Sequence, residues 1–126
     1  MNKKDLNAIS QKVNSLIEQE DFEKAIELLN ILIIEDPNNY FLKMNLGACY
    51  KKTGNFKKAL DIYNSAKELP EKDSELYYNI GNLYFSMKDY KESINFYDMA
   101  IKDNSNHSKY YINKASALFM LKKYLE

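Results

Sequence analysis

Apolar residues recur along the chain at intervals of three and four, the period of helices that pack by one face. Over residues 74–87 the series is Tyr77, Ile80, Gly81 and Tyr84; over 90–102 it is Ile94, Tyr97, Ala100 and Ile101. Between the two, Asp89 is placed to cap the second helix, with Glu92 three residues on to complete a capping box. No segment shows the strict alternation of a strand bounded by turns. The helix pair then repeats at an offset of 34 residues. Asn45 falls on Asn79, Leu46 on Ile80, Gly47 on Gly81, Tyr50 on Tyr84, Phe56 on Tyr90, Ala59 on Ser93, Tyr63 on Tyr97 and Ala66 on Ala100. A further step lands on Asn113, Ala115, Leu118 and Tyr124, and a step back on Val13, Leu16, Phe22, Ala25 and Leu29. Asp21, Asn55 and Asp89 form another column, each just before an aromatic residue. The units are about 6–39, 40–73 and 74–107, with a partial unit over 108–126, and Pro37 and Pro70 fall where helices must end. The expected architecture is an all-α solenoid of antiparallel helix pairs, read as one domain over 1–126.

The small residues suggest how the helices pack. Gly47 and Gly81 fall mid-way along first helices, and Ala59 and Ser93 early in second ones. A helical Gly costs about 1 kcal/mol relative to Ala, tolerable where two helix backbones must approach closely. Ala66 and Ala100 would serve the same purpose between units. Tyr50, Tyr63, Tyr84 and Tyr97 read as core, each with its hydroxyl at the edge.

A 34-residue helix–turn–helix with these columns resembles the tetratricopeptide repeat (TPR). Leu46, Gly47, Tyr50, Ala59, Tyr63 and Ala66 follow the family pattern in the second unit, and Tyr77, Ile80, Gly81, Tyr84, Tyr97 and Ala100 in the third. The first unit departs from it at Lys12 and Val13 and recovers at Ala25 and Pro37; Lys43 stands where the family has Trp. The resemblance implies a right-handed helical-repeat solenoid whose first helices line a concave groove for a peptide or helix of a partner protein. That groove would take Asn7, Ser10, Gln11 and Asn14 from the first unit and Phe41, Met44, Asn45, Ala48 and Lys52 from the second. Glu75, Tyr78, Asn79, Asn82 and Phe85 would come from the third, and Lys109, Ile112, Asn113, Ser116 and Phe119 from the partial unit.

Asn45, Asn79 and Asn113 make a column of amides able to pair with a peptide backbone, although a solvated column in an Asn-rich chain would look the same. Phe41, Met44, Tyr78, Phe85, Ile112 and Phe119 would give the groove an apolar floor, or pack between neighbouring first helices. Some TPR domains clamp the terminal carboxylate of chaperone tails with two Lys, an Arg and two Asn. Here those positions hold Ser10, Asn14, Asn45, Glu75 and Asn79 in one frame and Met44, Ala48, Asn79, Lys109 and Asn113 in the next. Neither frame supplies the full cationic set, Glu75 would repel a carboxylate, and no chaperone-tail clamp is expected.

Composition narrows the chemistry further. The 126 residues carry 18 basic and 18 acidic groups, and every basic one is Lys. A balanced chain without Arg has no general pull toward nucleic acid or an anionic membrane. One Cys and one His are too few for a structural zinc site, and the three glycines form no phosphate loop. Cys49 reads as a core residue, and His107 as an ordinary loop residue in NSNHSK, whose glycosylation sequon has no signal peptide to bring it to the machinery. Lys51, Lys52, Lys57 and Lys58 cluster at one turn, a solvated face or a contact for an acidic partner. Apolar runs are far short of a membrane span. The expectation is a cytoplasmic, non-catalytic protein-interaction module with no cofactor, metal, nucleic acid or membrane; the alternative is a scaffold that self-assembles by end-to-end packing of repeats.

The last helix, expected over about 108–121, would leave a face with Tyr111, Ala115 and Leu118 uncovered, because the residues from Lys123 on are too few to nucleate another. Either the chain is a fragment of a longer protein or another molecule covers that face, and self-association through the helix over 108–121 is one such cover. Residues 1–39 carry 4 Lys against 8 acids and residues 108–126 carry 4 Lys against 1, a charge asymmetry that suits head-to-tail contact.

Overall fold

The computed structural model describes residues 1–125, which form seven α-helices: α1 (Lys3–Glu18), α2 (Phe22–Glu35), α3 (Tyr40–Lys52), α4 (Phe56–Ala66), α5 (Ser74–Ser86), α6 (Tyr90–Asp103) and α7 (Ser108–Leu125). No strand occurs among the described residues, and none of their helices is long and apolar enough to cross a membrane.

The helices start where short polar side chains can accept a stranded backbone N–H. Asn2, Asp21, Asn39, Asn55 and Asp89 each accept from the amide three residues on, at 2.9–3.4 Å. The capping box at Asp89 forms only in half. The Asp89 N–H donates to the Tyr84 carbonyl at 2.9 Å, so Glu92 has no amide to take and accepts from the Asn95 side chain instead. The turns before Asp21, Asn55 and Asp89 share one device: Glu20, Gly54 and Lys88, 34 residues apart, all adopt the left-handed conformation with φ of 60°, 82° and 64°.

The chain divides into two compact units, Met1–Pro70 and Glu71–Glu126. In the first, α1 packs on α2, α2 on α3 and α3 on α4. Val13, Leu16, Ala25, Leu29, Leu32, Leu46 and Cys49 form its buried cluster. Tyr63 of α4 lies against Gly47 so closely that a Cβ there would sit 2.3 Å from a ring carbon. The glycine thus makes room for an aromatic ring, where the sequence suggested an approach of two backbones. Lys43, in the family's Trp position, is also buried; its Nζ donates to Ser65 Oγ at 2.8 Å, and that hydroxyl donates to the Ile62 carbonyl at 2.7 Å.

In the second unit α5 packs on α6 and α6 on α7, with a smaller contact between α5 and α7. Leu76, Ile80, Leu83, Tyr90, Tyr97, Ala100, Tyr110 and Ala117 are buried. Gly81 receives the Tyr97 ring as Gly47 receives Tyr63, at 2.6 Å from an added Cβ. The expected end of the last helix near 121 is wrong: α7 continues to Leu125. Those residues need not nucleate a helix, because they extend one already formed, and extension is the easy step. The Tyr124 ring, 5.7 Å from that of Tyr90, anchors the added turn.

Candidate functional site

The exposed side of the first helices in each unit holds the residues singled out above. In the second unit these are α5 and α7. Helical spacing puts Tyr78, Asn82 and Phe85 on one side of α5, and Lys109, Ile112, Asn113, Ser116 and Phe119 on one side of α7. The two rows meet in a polar cluster. Asn113 Nδ2 donates to the Tyr78 hydroxyl at 2.9 Å and to Asn82 Oδ1 at 3.0 Å; the Tyr97 hydroxyl donates to the same Asn82 oxygen at 2.6 Å. Burial, with Tyr78 close by, pushes the Tyr97 hydroxyl above its ordinary pKa, so it stays a donor. Tyr78 packs between Tyr97 and Tyr110, ring centres 5.9 and 5.0 Å away.

Two features flank the cluster. At one side Lys109 Nζ is held by the Glu75 carboxylate and lies 4.8 Å from the centre of the Tyr78 ring. The hydrogen bond that Lys109 donates to Glu75 raises the pKa of Lys109. The pair is exposed, so it adds little to stability. At the other side Phe85, Ala115, Ser116, Phe119 and Met120 line an open hollow of about 420 Å³. Phe119 and Ile112 are 68% and 61% exposed, large apolar side chains offered to solvent.

The first unit presents a different surface. Asn45, Ala48 and Lys52 of α3 line a smaller hollow, about 290 Å³, with Ile17, Glu18, Glu20, Phe22 and Cys49. Burial pushes the Cys49 thiol up to about 11, which leaves it protonated and inert at neutral pH. Asn14 is exposed on α1, Met44 is half-buried, and Phe41 stands 73% exposed with its edge against Tyr40.

Among the expected residues, the structure therefore joins Tyr78, Asn82 and Asn113 by hydrogen bonds, with Lys109 over the Tyr78 ring, and Phe85 with Phe119 into one hollow. Asn79 is half-buried beside them on α5. Asn113 differs from the simple picture of an amide awaiting a ligand, because its NH2 already serves Tyr78 and Asn82. Sequence reasoning missed the Lys109–Glu75 pair, although opposite charges 34 residues apart in a 34-residue repeat were a usable signal. It also missed the burial of Lys43, although its register with Tyr77 and its place at the family's Trp position put it on the packed face.

Tetratricopeptide repeat profiles match residues 16–75 and 74–106. The chain belongs to the tetratricopeptide repeat family. Solved TPR structures agree in fold. The first TPR of Spaghetti (RPAP3) bound to the HSP90 peptide SRMEEVD superposes with a TM-score of 0.85 at 19% identity, covering 97% of either chain. The Sgt2 TPR domain from Aspergillus fumigatus gives 0.84 at 21% identity, over 94% of this chain and 80% of that one. MamA gives 0.79 at 21% identity, over 92% of this chain and 63% of that one. Among curated protein sequences none matches this TPR chain.

Proposed function

We propose that this TPR chain is a non-catalytic protein-interaction module, and that a partner's peptide or helix lies along the α5–α7 face. The observation that carries this is the pairing of the Phe85–Phe119 hollow with the Tyr78–Asn82–Asn113 cluster beside it. An apolar recess with a few placed polar groups is what a peptide needs: a seat for one side chain and hydrogen-bonding groups for its backbone. The fold it shares with a TPR domain solved with a peptide bound supports a peptide as the ligand class.

A terminal-carboxylate clamp is not part of the proposal. Lys109, the one cation at the clamp positions, is already engaged by Glu75. A peptide such as SRMEEVD would meet that carboxylate beside the one cation at those positions.

The test begins with peptides selected from a random library on the wild-type chain. Their affinity should fall at least about tenfold, or about 1.4 kcal/mol, in Phe119→Asp and measurably in Asn79→Ala. Far-UV circular dichroism should stay unchanged, since Phe119 contributes little to the core. Tyr78 is a poor target because it packs on Tyr97 and Tyr110. Unchanged affinity in a folded Phe119→Asp variant, or salt-sensitive low-micromolar binding of SRMEEVD, would overturn the reading.

A further inference from the structure

The outer face of α7 carries a second stripe, which meets the peptide face only at Ala115, on the edge of the hollow. Tyr111, Ala115, Leu118 and Lys122 recur at helical spacing and are all exposed, Tyr111 and Leu118 at 47% each. In the 34-residue register these positions match Tyr77, Gly81 and Tyr84 of α5. There the stripe is covered by α6: Tyr97 seats on Gly81, and Tyr84 stacks on Phe96 at 5.6 Å. Ala115 is thus a small residue at a position built to let another helix come close.

The same chain has one other helix with exposed large aliphatic residues in such a stripe. On α2, Glu27, Ile31 and Ile34 follow at intervals of four and three, with Ile34 78% exposed. The charges around the two stripes are opposite. On α2 the flanking residues Glu23 and Glu27 have Lys24 as their only neighbouring cation on that helix, whereas Glu35 already meets the Met1 N-terminus at 3.7 Å. On α7 all the charged residues are Lys109, Lys114, Lys122 and Lys123. Two of them have partners in their own molecule, Lys109 with Glu75 and Lys114 with Asp98, which leaves Lys122 and Lys123 to dominate the far end of the stripe.

We infer that the α7 stripe docks the α2 stripe of a second copy of this chain. Leu118 and Tyr111 would bury Ile31 and Ile34, and Lys122 and Lys123 would face Glu23 and Glu27 at one end of the α2 stripe. An α7-on-α7 dimer would instead bring like charges together, which charge complementarity disfavours. The contact is heterologous, so copies add head to tail until a ring closes or the chain stays open. Two helix stripes bury less than the roughly 1,200 Å² of a stable interface, so association is weak and shows only at high concentration.

Sedimentation velocity from about 20 µM to about 1 mM, the range in which weak contacts populate, tests this on the full chain. Wild type should sediment faster as concentration rises, and less so as salt is raised. Ile34→Glu and Leu118→Glu each lack one of the two surfaces and should stay monomeric, with unchanged circular dichroism because both residues are exposed. An equimolar mixture should recover association that stops at a dimer, through the intact α7 of the first variant and the intact α2 of the second. A wild type that is monomeric throughout overturns the inference. So does an Ile34→Glu variant that associates like wild type, which would point to α7 packing on itself, and so does a mixture that stays monomeric.

Discussion

The two units solve one packing problem with one pair of side chains and then part ways on their surfaces. Gly47 with Tyr63 in the first and Gly81 with Tyr97 in the second are interchangeable: a bare helix backbone and an aromatic ring pressed against it. What lies above the ring differs. In the second unit the Tyr97 hydroxyl donates to Asn82 and, through it, joins Asn113 and Tyr78. In the first unit the position of Asn82 is taken by Ala48, which has no side-chain acceptor, and the hollow there is edged by Glu18, Glu20 and Lys52. The recurring columns therefore build the fold, and the positions that fail to recur make each unit's surface its own.

Alkali should separate the units most. Burial raises the Cys49 thiol from an ordinary 9.0 to about 11, and raises the hydroxyls of Tyr63 and Tyr97 as well. All three are neutral in the folded chain, while the unfolded chain releases their protons earlier. Their stabilisation is therefore complete below the unfolded value and drains away as pH climbs through the window up to the folded one. Urea midpoints should be flat around neutrality and fall from about pH 9 upward. The first unit holds Cys49, whose ordinary value is the lowest of these groups, so its methyl signals in NMR should weaken before those of the second, where the Tyr84 and Tyr97 hydroxyls are raised. Lys51, lowered by burial in the first unit, offsets only part of that loss as pH rises. Equal loss in both units would break the comparison.

Filling the glycine seats comes next. An added methyl would sit 2.3 Å from the Tyr63 ring at Gly47 and 2.6 Å from the Tyr97 ring at Gly81, with the Ser93 carbonyl at 3.3 Å. Both rings are buried and cannot swing aside. Overpacking of this kind costs about 1–3 kcal/mol, against about 1 kcal/mol returned by the better helix former. Gly47→Ala and Gly81→Ala should both lower the urea midpoint, Gly47→Ala the more. A rise in either would show that the ring does not rest where the structure has it.

The smallest effect sits in the turns. Gly54 adopts φ of 82° at no steric cost, whereas Lys88 holds φ of 64° with a side chain. Lys88→Gly should stabilise the second unit by about 0.5–1 kcal/mol, and Gly54→Ala should destabilise the first by about 1 kcal/mol. Thermal melts of the two variants should move in opposite directions.

Much of this was legible in the chain. The 34-residue offset located the buried Ala25, Ala59, Ala66, Ala100, Tyr63 and Tyr97, because small and aromatic residues must alternate wherever helices stack at one fixed spacing. The Asp21, Asn55 and Asp89 caps were equally plain, since a cap depends only on the next three residues. The bonds of Asn113 were not. They require the approach of α5 to α7, and no local pattern records which lone pairs that approach brings together. The partner of Lys43 was hidden for the same reason: its ammonium donates to the hydroxyl of Ser65, 22 residues later.

The central claim is that the α5–α7 face is where a partner peptide sits, and NMR tests it directly. Titration of the isotope-labelled chain with a library-selected peptide should perturb the amides and side chains of Phe85, Ile112, Asn113, Ser116 and Phe119 first and most. The Asn82 and Asn113 side-chain NH2 signals should shift with them. Perturbation confined to α6, or to the Tyr111–Leu118 side of α7 with Phe119 and Asn113 unmoved, would contradict the account.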